Sequence, residues 1–257
     1  MDILHSIVLG IVEGITEFLP ISSTGHLILA SKLLSIPQTD FVKTFEIAIQ
    51  SGAILSVISL YWKDILKSGD TLKKVLVAFI PTGIIGFILY KMIKQYLLGN
   101  SNIVLWSLAL GGIALIALEM YLKRRKITEK DIAKVTYKDA LIIGVIQSIS
   151  VVPGVSRSAA TIFGGMAMGM DRKTAVEFSF LLAVPTMLAA TGLDLVKTSF
   201  NFSTSEWGVL AVGLITSYIV AIVAIKWLIS YVRRYSFIPF GIYRIVIAIL
   251  LFGLFLR

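Results

Sequence analysis

The chain has 257 residues, 57% of them hydrophobic and only 15% charged, with a formal net charge of +9. A soluble domain of this size carries about 25% charged residues, so the composition excludes an ordinary globular enzyme and points to a membrane protein with the bilayer as solvent. With no cysteine, disulfides, thiolate catalysis and cysteine-based metal sites are excluded, and the basic excess, which lies mostly in loops, reads as topology and headgroup contact rather than nucleic-acid binding.

The first apolar stretch, Ile3–Leu34, is broken around Pro20; it contains Glu13 and Glu17 and lacks a basic start, which argues against a cleaved signal peptide. At its centre Gly10–Leu27 reads GIVEGITEFLPISSTGHL. Glu13 and Glu17 are four apart and share one helix face; Pro20 stops that helix, and Ser22, Ser23 and Thr24 lead into His26. A lone ionised group at the bilayer centre costs about 2.5–3.5 kcal/mol, so two acids and a histidine here mark a candidate active site.

Three spans follow, Phe41–Trp62, Leu72–Tyr90 and Ile103–Leu122, and then a basic linker, 123–136. A second broken stretch, Tyr137–Met170, is interrupted at Pro153-Gly154 and precedes three more spans, Thr174–Val196, Trp207–Val232 and Ile238–Leu256. Each half of a broken stretch is shorter than the roughly 20 residues a crossing needs. Irregular backbone at membrane depth survives only where protein or a wet cavity covers it. Both stretches therefore read as re-entrant helix-loop-helix hairpins, with eight or more crossings as the competing count.

The two stretches resemble each other. Gly10-Ile-Val-Glu13 aligns with Gly144-Val-Ile-Gln147 and Thr16 with Ser150; a one-residue gap then sets Pro20 against Pro153 and Ser23 against Ser156. A hairpin returns to its own side and three spans do not, so the halves face opposite ways. The expected fold is one all-α transmembrane domain of six helices and two re-entrant hairpins, an inverted repeat of 1–122 and 137–257, with its site where the tips meet. On this count 15 Lys and Arg residues fall on one side and six on the other. The positive side is cytoplasmic, which turns both termini and the mouth of the first hairpin outward.

The second tip reads Pro153-Gly-Val-Ser-Arg-Ser-Ala-Ala-Thr161. Ser156 stands where a helix begins, with free N–H groups and the positive helix end beside it. Arg157 adds a planar fork of donors, and helix start, arginine and the hydroxyls of Ser158 and Thr161 make an anion site with phosphate as the usual anion. The competing reading pairs Arg157 with Glu13 or Glu17 only to hold the hairpins together. At the first tip, either Ser23 or His26 attacks phosphorus while the other assists. Ser22 and Thr24 flank them as substrate contacts. Glu13 and Glu17 orient the histidine, activate water or hold a divalent cation.

These motifs, Glu13–His26 and Pro153–Thr161, together with Phe45-Glu46-Ile-Ala-Ile-Gln50, resemble the undecaprenyl-diphosphate phosphatases of the bacitracin-resistance type over essentially the whole length, with no departure at a motif position. The resemblance implies hydrolysis of a C55 isoprenoid diphosphate to its monophosphate, and with it recycling of the cell-wall carrier and bacitracin resistance. It places the site at the outer face of the bacterial inner membrane and implies dependence on a divalent cation such as Mg or Ca, with no organic cofactor. The family's functional positions carry over as Glu13, Glu17, Ser23, His26, Ser156, Arg157 and Thr161. Expected partners are a polyprenyl diphosphate and membrane lipid, without nucleic acid; monomer and homodimer both stay open.

Glu46 and Glu177 occupy equivalent places and are expected to support the structure by accepting hydrogen bonds from the backbone of their own hairpin tips; Glu46 as a third cation ligand is the alternative. Arg244, inside the last span, is expected to pair or snorkel, Glu119 to pair with Lys123, and His5 to be solvated. A transporter or flippase is the competing class, because inverted repeats and broken helices are common there, yet transport needs no nucleophile beside an anion clamp. Acid-phosphatase-like lipid phosphatases need a second histidine, and none follows His26.

Overall fold

A computed structural model describes residues 1–67, 69–97, 101–123, 131–197 and 202–255. Helix α1 (Ile3–Thr16) opens on a capping box in which the Asp2 carboxylate accepts from His5 N while the His5 ring faces the Asp2 N–H. His5 is thus a half-buried capping partner rather than a merely solvated side chain. A turn over residues 17–21 leads into α2 (Ser23–Leu33). The long helices α3 (Asp40–Lys67), α4 (Gly69–Met92) and α5 (Ser101–Lys123) follow. The second half repeats the order with α6 (Tyr137–Gln147), α7 (Arg157–Ala167), α8 (Arg172–Lys197), α9 (Thr204–Val232) and α10 (Ile238–Phe255).

Among the described residues five helices are long and apolar enough to cross a bilayer, within α3, α4, α5, α8 and α9. This is the build of a polytopic membrane protein. The expected sixth span, Ile238–Leu256, is the shorter α10 of 18 residues, and Leu256 lies outside the described residues, as do Arg124–Lys130 of the basic linker and Arg257.

Each short hairpin leans on the other half of the chain: α1 packs on α9, and α6 packs on α4. The contacts are close because glycine faces backbone. A Cβ on Gly10 would stand 2.9 Å from the Gly213 carbonyl, and one on Gly144 would overlap the Ala78 carbonyl. Helix α5 pairs with α10, and α3 lies against both α8 and α9. Phe18 and Phe180, both fully buried, meet edge to face with centroids 5.2 Å apart where the two halves join.

The helix caps correct the register of the repeat. Ser22 and Ser156 are the N-caps of α2 and α7, at φ 73° and 75°, and each side-chain oxygen accepts a backbone N–H three residues on. Both helices then run 11 residues and end in matching C-caps, Leu34 and Met168. The spacing that relates Gly10 to Gly144 thus continues without a gap, and Ser23 stands opposite Arg157, not opposite Ser156. The prolines mislead because they fall at different places within turns of equal length.

Candidate active site

The turns that precede α2 and α7 meet inside the protein. Ser158 Oγ donates to the Leu19 carbonyl at 2.8 Å, and Arg157 Nη2 donates to Glu17 Oε1 at 2.9 Å. The other Glu17 oxygen accepts from Ser23 Oγ at 2.6 Å. One carboxylate therefore sits between a hydroxyl and a guanidinium. Glu17 reaches this point because residue 17 keeps helical torsions (φ −63°, ψ −42°) past the end of α1 and stays in line with Glu13.

Ser22 and Ser156 hold a left-handed torsion that costs a non-glycine residue on the order of 1–3 kcal/mol. Both helix starts border a shared cavity of about 870 Å³. Ser22, Ser23 and Thr24 line it from the first tip, Ser156 and Arg157 from the second. One wall is apolar, with Phe79, Ile84 and Phe87 of α4 in the lining. Ile84 and Phe87 are exposed at the molecular surface, Phe87 by 73%.

Arg157 is held from several sides. Nη1 donates to the Ser179 carbonyl at 2.9 Å, the guanidinium lies 5.9 Å from the Phe18 ring centre, and Nε is buried without a partner. The pairing with Glu17 that the sequence offered as a competing reading is thus present, and a spare donor remains beside it. Breaking such a buried pair from one side costs about 3–5 kcal/mol.

Other expected members stand further back. Ser158 and Thr161 are fully buried and outside the cavity lining. Ser158 spends its proton on Leu19, and Thr161 Oγ1 lies 2.6 Å from Ser179 Oγ, joining α7 to α8. His26 does not meet Ser23. Its Nδ1 lies 2.8 Å from the Ser22 carbonyl and its Nε2 2.8 Å from the Tyr243 hydroxyl, with the two rings stacked. A carbonyl only accepts, so Nδ1 carries the proton; in the neutral ring Nε2 then accepts from the Tyr243 hydroxyl.

The remaining carboxylates divide sharply. Glu13 is fully buried, and among the described residues neither of its oxygens has a hydrogen-bond partner. No group of three or more His, Asp or Glu side chains suited to a metal ion occurs among the described residues, so Glu46 does not complete a trio with Glu13 and Glu17. Glu46 instead accepts from Ser31 Oγ at 2.6 Å and Gln38 Nε2 at 3.4 Å, and Glu177 pairs with Lys173 at 3.3 Å. Their support goes to side chains, not to the tip backbones. Glu119 is gripped by Arg172 through Nε and Nη2 (2.9 and 2.7 Å) and accepts from Phe237 N, replacing the expected Lys123 partner.

Tyr243, which the sequence did not single out, holds His26. Its neighbour Arg244, expected to pair or snorkel, meets no acid among the described residues and donates to backbone carbonyls at both tips. A charged residue amid the apolar run of α10 was the available signal.

Residues 6–250 match the family described as Bacitracin resistance protein BacA. The chain is 54% identical to the undecaprenyl-diphosphatase of Sulfurihydrogenibium sp. over 97% of its own length and 98% of the relative. It is 52% identical to that of Aquifex aeolicus over 98% of each chain, and 43% identical to that of Methanococcus aeolicus over the full length of both.

Proposed function

The chain belongs to the bacitracin resistance protein BacA family, and from that premise we propose how its residues hydrolyse undecaprenyl diphosphate to undecaprenyl phosphate and inorganic phosphate, the reaction that recycles the cell-wall lipid carrier. The observation that carries the reading is the Glu17 carboxylate shared between Ser23 (2.6 Å) and Arg157 (2.9 Å) at the wall of the cavity. The terminal phosphate enters against Arg157 and the two helix starts, which are set to stabilise charge on a transferring phosphoryl group. Arg157 exchanges Glu17 for phosphate oxygens, and Glu17 is left to take the Ser23 proton.

Ser23 Oγ attacks the terminal phosphorus. The bond from that phosphorus to the bridging oxygen breaks, and undecaprenyl phosphate departs with that oxygen. Water then attacks the phosphoserine, and the proton on Glu17 returns to the Ser23 oxygen as its bond to phosphorus breaks. His26 and Tyr243 hold the Ser22 carbonyl and thereby aim the start of α2.

Glu13, whose buried oxygens have no hydrogen-bond partner among the described residues, would hold a divalent cation next to Glu17. Mg²⁺ suits such a site better than Ca²⁺, because it is held through one or two carboxylates plus substrate phosphates. When bound, such an ion neutralises charge on the diphosphate.

In the membrane, α10 supplies the sixth crossing, and the α1–α2 and α6–α7 hairpins enter from opposite faces as an inverted repeat, so that their tips meet near the midplane. The distribution of basic residues sets the first hairpin open to the outer face of the inner membrane, where the diphosphate enters. The isoprenoid tail leaves the cavity along the exposed apolar wall of α4 and stays in lipid.

Phosphate release by purified protein tests this assignment. Ser23→Ala should lose turnover by about 10⁴-fold or more, whereas His26→Ala keeps a measurable rate. A dead His26→Ala beside an active Ser23→Ala would exchange their roles.

A further inference from the structure

Arg244 is fully buried in α10, and among the described residues it has no carboxylate partner. All of its hydrogen bonds go to backbone carbonyls. Nη1 donates to Pro20 at 3.1 Å and Nη2 to Gly154 at 3.0 Å, one carbonyl from each tip. Nη2 also reaches Ser107, at 3.1 Å, and Nε reaches Leu108, at 3.2 Å, both on α5. Pro20 lies three residues from both Glu17 and Ser23, and Gly154 lies three residues before Arg157. The side chain has room because α5 carries glycine at 111, where a Cβ would overlap the guanidinium.

We propose that Arg244 is a positioning residue: it ties both tips to the α5–α10 pair and so sets the distance between the Ser23–Glu17 pair and Arg157. Only a planar fork of five donors reaches four carbonyls on three segments; a lysine keeps the charge with three donors on one atom. The tips' other mutual bonds, Ser158 to Leu19 and Arg157 to Glu17, join them to each other but not to this frame. This inference rests on the reaction occurring between the tips as proposed above. A displacement of about 1 Å between reacting groups costs on the order of 100-fold in rate.

The experiment compares wild type, Arg244→Lys and Gly111→Ala in detergent, with phosphate release from undecaprenyl diphosphate as the rate and size-exclusion profile as the measure of fold. Gly111→Ala leaves the arginine in place but displaces its head, and alanine is the better helix former. Both variants should lose turnover, Arg244→Lys by on the order of 100-fold, with KM within threefold because charge and cavity lining are kept. Turnover within twofold of wild type in either monodisperse variant overturns the proposal. So does a loss carried by KM, which would make Arg244 a binding group, or aggregation of both variants, which would make it a folding group. Failure of the wild type to release phosphate would overturn the proposed function itself.

Discussion

The two hairpin tips share a backbone and divide the chemistry. Each ends in a strained serine N-cap with φ near 75°, each starts an 11-residue helix, and each of their first helices packs through a glycine on the opposite half. Their side chains diverge at two matched places. Glu13 in the first hairpin is Gln147 in the second, and Ser23 after the first cap is Arg157 after the second. The amide nitrogen of Gln147 donates to Thr82 at 2.8 Å, while its oxygen, like both Glu13 oxygens, is buried without a partner among the described residues. In the proposed reaction one scaffold thus presents a nucleophile with its proton acceptor from one side and an anion clamp from the other. Building both from a single repeat places them face to face without a separate positioning domain.

Substitutions at matched places of the two hairpins test this division. The largest of these effects is expected from Arg157→Lys, which keeps the charge beside Glu17 but loses the planar fork: phosphate release should fall on the order of 10²–10³-fold. Unchanged turnover would reduce Arg157 to a tie between hairpins. Next comes Glu13→Gln, which copies the second hairpin into the first. The protein should fold, because an amide is already accommodated at Gln147, but turnover should drop and lose its response to added Mg²⁺. A variant that still gains activity from Mg²⁺ as wild type does would remove Glu13 from the cation site.

The smallest effect concerns packing alone. Gly144→Ala drives a Cβ into the Ala78 backbone, while Gly10→Ala meets the Gly213 carbonyl at 2.9 Å and the Thr216 side chain. Overpacking costs about 1–3 kcal/mol. Both variants should melt earlier than wild type, Gly144→Ala the more so, and turnover below the melting range should stay close to normal. Equal midpoints for all three proteins would show that neither contact is tight.

Much of the site was legible in the sequence because its residues are costly where they stand. Glu17, Ser23 and Arg157 are polar groups at breaks in apolar stretches, and their convergence follows from the repeat. What stayed hidden depends on torsion and on distance along the chain. The cap at Ser22 needs a positive φ that no residue type announces, so the register of the second tip was set one residue wrong. Ser23 and His26, three residues apart, read as nucleophile and assistant in either order, but the turn folds Ser23 back onto Glu17 while His26 faces Tyr243 of α10. Tyr243 and Arg244 lie more than 200 residues from the first tip, and only Arg244 advertised itself, as a charge in an apolar helix. Five of the expected spans were legible as hydropathy and stand as long apolar helices, and α10 is apolar over its 18 residues.

In the proposed reaction Ser23 receives the phosphoryl group while Glu17 accepts its proton. Rapid acid quench of the enzyme with substrate labelled in the terminal phosphate, followed by peptide mapping, tests it most directly. The account predicts label in the peptide that contains Ser23, acid-stable as a phosphoserine is, and none in Ser23→Ala. Acid-labile label on His26, or full turnover by Ser23→Ala without any labelled peptide, would contradict it.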